Sequence, residues 1–414
     1  MAGDRPFESV LRPVCGAVRG NAVDLSEGRP ERLTARWPNS RAMNRRRFLH
    51  SATGAAAVGL AGCLGDGGGD ATDTAAPDTG STPGPTRSPT DGPTPTSTPD
   101  GPSGVYVQSF RETMVTPGTA TAGDYRFALL VAVPHRFWTV NLDERSVTEI
   151  EEDDVHLMAT VWDPETRTVL PNSNLSVEVT RDGELVTQEV IYRMLSQRMG
   201  FHYGANFPLD GDGAYTARLS VGGVSARKTG AFEGRFEDGA TAAVEFEWSK
   251  RVREQLKTEQ LDQAGQRGAL RPMEMGEAPQ PRAPKPAAFP GRVLGTGRSD
   301  DAKLVTVQLP AAEAGRFTDG RPYLAVSART PFNRLVLPAM ALSASVARDG
   351  EPVFERSLEP TLDPELGHHY GAPLPEPVRS GDEVTLRVGT PPQLARHEGY
   401  ERAFLEMEPA TVTA

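Results

Sequence analysis

The chain has 414 residues, with 44 Lys+Arg against 55 Asp+Glu, and 42 Gly and 36 Pro that mark much of it as turns and linkers. That length exceeds a single small domain, and the composition argues against long helical bundles. No apolar stretch reaches the roughly 18 residues of a membrane-spanning helix, and the net charge of −11 opposes nucleic-acid binding.

Taken in chain order, residues 1–42 are Arg/Pro-rich and precede Met43-Asn44-Arg45-Arg46-Arg47-Phe48-Leu49, the small-residue run Ala52 to Leu60, and Leu60-Ala61-Gly62-Cys63. Paired arginines, a short apolar segment and small residues before a cysteine form a twin-arginine export signal ending in a lipobox. Residues 1–42 therefore read as a mis-assigned start, 43–62 as the signal peptide, and Cys63 as the lipidated N-terminus of a protein anchored at the extracellular face of the membrane. Lipidation uses Cys63 and Cys15 is lost, so the exported protein is expected to hold by packing without disulfides. Trimming leaves 34 basic and 50 acidic residues, a net charge of −16, suited to high salt. In style this resembles a secreted lipoprotein of a haloarchaeon. Residues 63–104 are Gly, Asp, Thr, Pro and Ser without apolar periodicity, as in Thr90-Asp91-Gly92-Pro93-Thr94-Pro95, and read as a disordered tether.

Two folded units are expected, 105–250 and 302–410, joined by a linker of 251–301 that opens on a short helical piece (251–263) and passes into Pro279-Gln280-Pro281-Arg282-Ala283-Pro284. The units are copies of one another at an offset of 167 residues. Val169-Leu170-Pro171 matches Val336-Leu337-Pro338, Arg181-Asp182-Gly183-Glu184 matches Arg348-Asp349-Gly350-Glu351, and His202-Tyr203-Gly204-Ala205 matches His369-Tyr370-Gly371-Ala372. Later the offset becomes 169 and pairs Ala226-Arg227-Lys228 with Ala395-Arg396-His397. In each copy apolar residues alternate (Leu175, Val177, Val179; Leu342, Ala344, Val346) up to an Asp-Gly pair that predicts a tight hairpin. The predicted architecture is all-β: two tandem immunoglobulin-like β-sandwiches on a tether.

The stretches Val155-His156-Leu157-Met158-Ala159, Met194 to Asn206, Asp212-Gly213-Ala214-Tyr215-Thr216 and Phe232 to Trp248 resemble, in order, the bacterial periplasmic ferrous-iron transport proteins. The resemblance implies immunoglobulin-like modules that bind a divalent metal beside an iron permease, often as homodimers. In that family a Glu on an early strand, a Met, the His of the His-Tyr-Gly motif and a second His hold the metal. Carried over, these fall on Met158 in place of Glu, Met194 (less well Met199), His202 and Lys228. A protonated lysine offers no lone pair, so copy one has at most a Met/Met/His set, which suits Cu(I). Copy two has His369 and His397, but Ala325 and Thr361 at the other positions, with Asp363, Glu365 and Glu398 close in sequence. A covalent pseudo-dimer sharing one site would reconcile the halves. Packing remains the plainer role for Met158, Met194 and the linker pair Met273/Met275. His135 reads as a packing or capping residue.

No catalytic signature is present, neither a nucleophile elbow, a phosphate loop nor a His-Glu-x-x-His helix. The expected function is therefore non-enzymatic: a surface lipoprotein that binds iron or copper in iron uptake. The alternative is an envelope module that kept the fold and lost the metal.

Overall fold

The computed structural model describes residues 102–150 and 152–414. The expectations for residues 1–62, for Cys63 and for the tether as far as residue 101 lie outside the described residues. In chain order the strands are β1 (Phe110–Glu112), β2 (Val115–Ala122), β3 (Tyr125–Ala132), β4 (Phe137–Asn141), β5 (Glu144–Thr148), β6 (Val155–Trp162), β7 (Leu175–Arg181), β8 (Glu184–Ser196), β9 (Gly200–Phe207), β10 (Gly213–Val221), β11 (Arg227–Lys228), β12 (Ala240–Trp248) and β13 (Thr258–Gln260). The second copy continues with β14 (Arg292–Ser299), β15 (Ala302–Leu309), β16 (Tyr323–Arg329), β17 (Ala341–Arg348), β18 (Glu351–Asp363), β19 (Gly367–Pro373), β20 (Glu383–Thr390), β21 (Ala395–Arg396) and β22 (Ala410–Thr413). One six-residue helix, α1 (Lys250–Gln255), follows β12.

The duplication is visible in the topology. Strands run β2-β3-β6-β9-β8-β7-β10-β12 in the first copy and β14-β15-β16-β19-β18-β17-β20-β22 in the second, the same order position by position. Each copy turns from one layer to the other on its thirteen-residue strand. β8 pairs with β7 as far as Ile191 and with β9 from Tyr192 onward, and β18 changes partner between Leu358 and Glu359. The strands β3 and β6 are apolar and buried along almost their whole length, as expected of central strands, whereas β10 and β12 alternate buried and exposed residues because one face meets solvent. The Asp-Gly hairpins form as the sequence predicts: φ is 52° and 83° at Asp182-Gly183, and 52° and 86° at Asp349-Gly350. Positive φ at both central residues matches the right-handed twist of the flanking strands.

Two departures position the site. First, β11 of copy one pairs in parallel with β18 of copy two, and β21 of copy two pairs in parallel with β8 of copy one. The short strands are exchanged between copies. Second, copy one alone inserts the β4–β5 hairpin, and β4 pairs with the other edge of β21. The core is continuous across both copies.

The linker expected over 251–301 is a correction. Its predicted helix ends at Gln255, β13 pairs with β1, Val336 donates its N–H to Pro281 (2.9 Å), and residues 292–299 are the edge strand β14. The strand escapes apolar patterning because glycine lets β22 approach β14: a Cβ at 297 would lie 2.9 Å from that of Ala410, and one at 295 would collide with Val412. Gly295→Ala is therefore expected to destabilise the fold by about 1–3 kcal/mol through overpacking. Val412→Ala in the same chain should recover most of that loss in thermal unfolding; additive losses would show that the contact is not the cause.

Candidate metal site

Three strands of copy one aim side chains into one buried point. His156 and Met158 share a face of β6 by the two-residue period, Met194 lies on β8, and His202 lies opposite it on β9. Gly204 faces Met158 across the β6–β9 ladder and leaves the space open. A Cβ there would lie 2.9 Å from Met194 Sδ, 3.0 Å from His156 Nε2 and 3.2 Å from Met158 Cγ. His397 enters from copy two directly after β21, whose Ala395 is in register with Met194. Its ring centroid is 5.2 Å from that of His202, 5.9 Å from that of His156 and 4.8 Å from that of His135. His135 itself stands in the turn between β3 and β4, and one nitrogen from each of His135, His156 and His397 lies within 4.8 Å of the other two.

Hydrogen bonds decide which ring nitrogens carry protons. His202 Nδ1 lies 2.9 Å from the Gly200 carbonyl, which can only accept, so Nδ1 donates and Nε2 keeps its lone pair. His156 Nδ1 lies 2.7 Å from Asn206 Oδ1, and the amide is oriented by its own donation to the His135 carbonyl (3.0 Å), so His156 Nε2 is again the free nitrogen. The Nε2 atoms of His156, His202 and His397 are buried and have no hydrogen-bond partner. Each costs on the order of 1–3 kcal/mol to leave unsatisfied. His156 Nε2 borders the space beside the Met194 thioether, and the His397 ring is 5.2 Å from that of His202 and 5.9 Å from that of His156, so the cluster offers imidazole and thioether donors suited to a soft or borderline cation. His135 has both nitrogens engaged, Nδ1 near Val133 O and Nε2 with His397, and so stands behind the ligands.

The sequence-predicted residues thus divide. Met158, Met194, His202 and His397 come together, and His369 belongs to a separate cluster. Its Nε2 lies 3.3 Å from the Tyr323 hydroxyl, which is 3.5 Å from Thr361 Oγ1. Tyr323 is the counterpart of His156 at the 167-residue offset; it stacks on Phe317 at 4.4 Å, and a Cβ at Gly371, the counterpart of Gly204, would collide with its hydroxyl. The second pocket is filled by phenol. Lys228, the counterpart of His397, binds its ammonium to Val224 O (3.0 Å) and Glu237 (3.1 Å). Asp363 and Glu365 pair with Arg316, and Glu398 accepts from Ser109, so none of these carboxylates completes a shell around His369. Met199 packs in the core. Met275 is buried and Met273 packs at the core's margin. The sequence reading missed His156, although it shares the face of Met158, and it took His135 for a local packing residue.

Burial holds these imidazoles neutral. It lowers His202 and His369 to about 4 and His368 to about 3, and pushes His156 and His397 well below the usual histidine range, with neighbouring histidines adding to the shift in the last two. Since the unfolded chain takes up these protons near pH 6.5 and the folded chain does not, stability is full above pH 6.5 and falls as pH drops toward 4. His202 alone contributes on the order of 3 kcal/mol to that fall. The urea midpoint of the metal-free protein is expected to be flat above pH 7 and to decline steadily between pH 6.5 and 4; a flat profile would show that the rings are not buried as neutral bases.

The chain belongs to the family described as "Domain of unknown function (DUF7350)", whose model matches residues 110–234 and 287–413, one span in each copy. No curated protein sequence matches the chain. Among solved structures it is similar to FetP of uropathogenic Escherichia coli (21% identity, TM-score 0.27), over 33% of this chain and 96% of that one. It is also similar to a copper-bound variant of FetP (19%, 0.27; 33% and 93%). The copper-reconstituted P19 protein of Campylobacter jejuni gives 16% identity and 0.27, over 33% and 97%.

Proposed function

We propose that this protein is a transition-metal carrier that binds one ion per chain, Cu(I) in preference, at a site shared between its two copies. Nε2 of His156, His202 and His397 and Sδ of Met194 would hold the ion, with Met158 walling the pocket. The observation that carries the reading is the clustering of three buried imidazoles whose Nε2 atoms have no partner, with His156 Nε2 and Met194 Sδ bordering the space that Gly204 leaves. Imidazole suits copper and iron alike, and the soft thioether tips the donor set toward Cu(I) over Fe(II). Iron is the second candidate cargo. The ion is passed on rather than turned over. Anchoring through Cys63 at the outer face of the membrane, and service to an iron permease, complete the proposal.

For the second pocket the alternative reading, a module that has lost its metal, is favoured by Tyr323, which occupies the space with its own hydrogen bonds. Copy two contributes His397 instead.

Competition titration of Cu(I) against a chromogenic chelator, with Fe(II) and Zn(II) alongside, tests this. One equivalent is expected. His202→Ala and His397→Ala should each weaken binding at least tenfold, Gly204→Ala should abolish it by filling the space, and His369→Ala should leave it unchanged. Two equivalents would add a second site and overturn the single shared one, loss in His369→Ala would move the site to copy two, and no uptake of any metal would leave an envelope module.

A further inference from the structure

The segment leading into copy one, residues 105–112, finds its partners around the end of copy two. Tyr106 donates its hydroxyl to Glu401 (2.5 Å) and its N–H to the Gly399 carbonyl (3.3 Å), and Ser109 donates its N–H and hydroxyl to Glu398 (3.0 and 2.8 Å). Gln197 donates to the Tyr106 carbonyl (2.5 Å). These contacts strap down the turn that follows His397. The strap ends in Glu112, which is 8% exposed and lies beside His135.

The hydrogen-bond directions along this line are determined at one end. His135 Nδ1 lies 3.1 Å from the Val133 carbonyl and 3.3 Å from Glu112 Oε2. A carbonyl can only accept, so Nδ1 carries a proton, and in the neutral ring Nε2 is then the acceptor. That Nε2 is 3.1 Å from His397 Nδ1, which is therefore the donor. The proton of the neutral His397 ring is thus used at Nδ1, and its lone pair resides on Nε2, the atom without a partner in the cluster. In the other tautomer His397 would direct an N–H at the other imidazoles and offer no donor atom there.

We propose that His135, its Nδ1–H held between the Val133 carbonyl and the Glu112 carboxylate, is a positioning residue for the cargo ion: it holds His397 as the Nδ1–H tautomer and so presents the second copy's Nε2 lone pair at the first copy's site. This rests on the carrier reading above. A carboxylate–imidazole pair behind a ligating imidazole also raises that ligand's basicity. The parts come from three separate places in the chain, the strap, the β3–β4 turn and the end of β21, so the arrangement exists only when all three are docked.

The test uses the full-length chain as wild type, Glu112→Gln, His135→Phe and His135→Gln. Cu(I) affinity is measured by chelator competition, and the His397 tautomer in the metal-free proteins by long-range ¹H–¹⁵N NMR of the imidazole rings. Wild type is expected to show His397 protonated on Nδ1. His135→Phe should weaken Cu(I) binding about 10- to 100-fold and move the His397 proton toward Nε2. His135→Gln, whose amide oxygen can accept the same proton, should restore both readouts most of the way. Glu112→Gln, which replaces the carboxylate acceptor, should weaken binding about tenfold. Unchanged affinity in His135→Phe or in Glu112→Gln overturns the assignment, as does a loss without a change of tautomer, which would mark a merely steric role. A wild type that binds no Cu(I) overturns the carrier reading and this one together, whereas a wild type that binds while the variants match it overturns only this one.

Discussion

The seat of Ala395–Arg396 on β8 is the contact on which the candidate site depends. Two residues in parallel register cannot form a strand by themselves; they are held because β4 pairs with them on the other side and because His397, next in the chain, is packed among His135, His156 and His202. A local sequence cannot provide such a contact, since parallel pairing needs a long crossover. Duplication supplies the crossover as a whole second domain, and the segment between the copies is itself pinned by β13 on β1 and by Pro281 against Val336.

The copies solve the same packing problem in opposite ways. Each has a glycine facing a gap in the β9 or β19 ladder, a histidine two residues before it, and an exchanged two-residue strand nearby. In copy two the gap takes Tyr323, whose hydroxyl reaches His369 and Thr361, so burial leaves little polar cost around it. In copy one the gap is bordered by thioether and by bare imidazole nitrogens. Leaving these unpaired costs several kcal/mol in sum, and burial also keeps the rings neutral and their lone pairs available at pH values where an exposed histidine would be protonated. The cost and the capacity to bind a cation have one origin.

Much of this was legible in one dimension. The constant offset exposed the duplication, the Asp-Gly pairs located two hairpins, and alternation oriented Leu175, Val177 and Val179 inward. Met194 and His202 could be paired as donors from the motif they share, and His156 was reachable from Met158 by the strand period. Other parts were not. β14 is patterned by glycines whose purpose appears only when Ala410 and Val412 lie against them. His135 sits in a turn, where no periodicity predicts the direction of a side chain, and its role comes from Glu112 and His397, 23 and 262 residues away in the chain.

By itself, then, the sequence determined the class of fold, the repeat, and the residue types able to donate to a metal, because strand period, turn chemistry and donor identity are local properties. Tertiary structure decided which donors meet. The sequence put His397 in the copy that also carries His369; the exchange of β21 placed it with His202 instead, since strand pairing between copies, unlike pairing within a hairpin, is set by the docking of two complete domains.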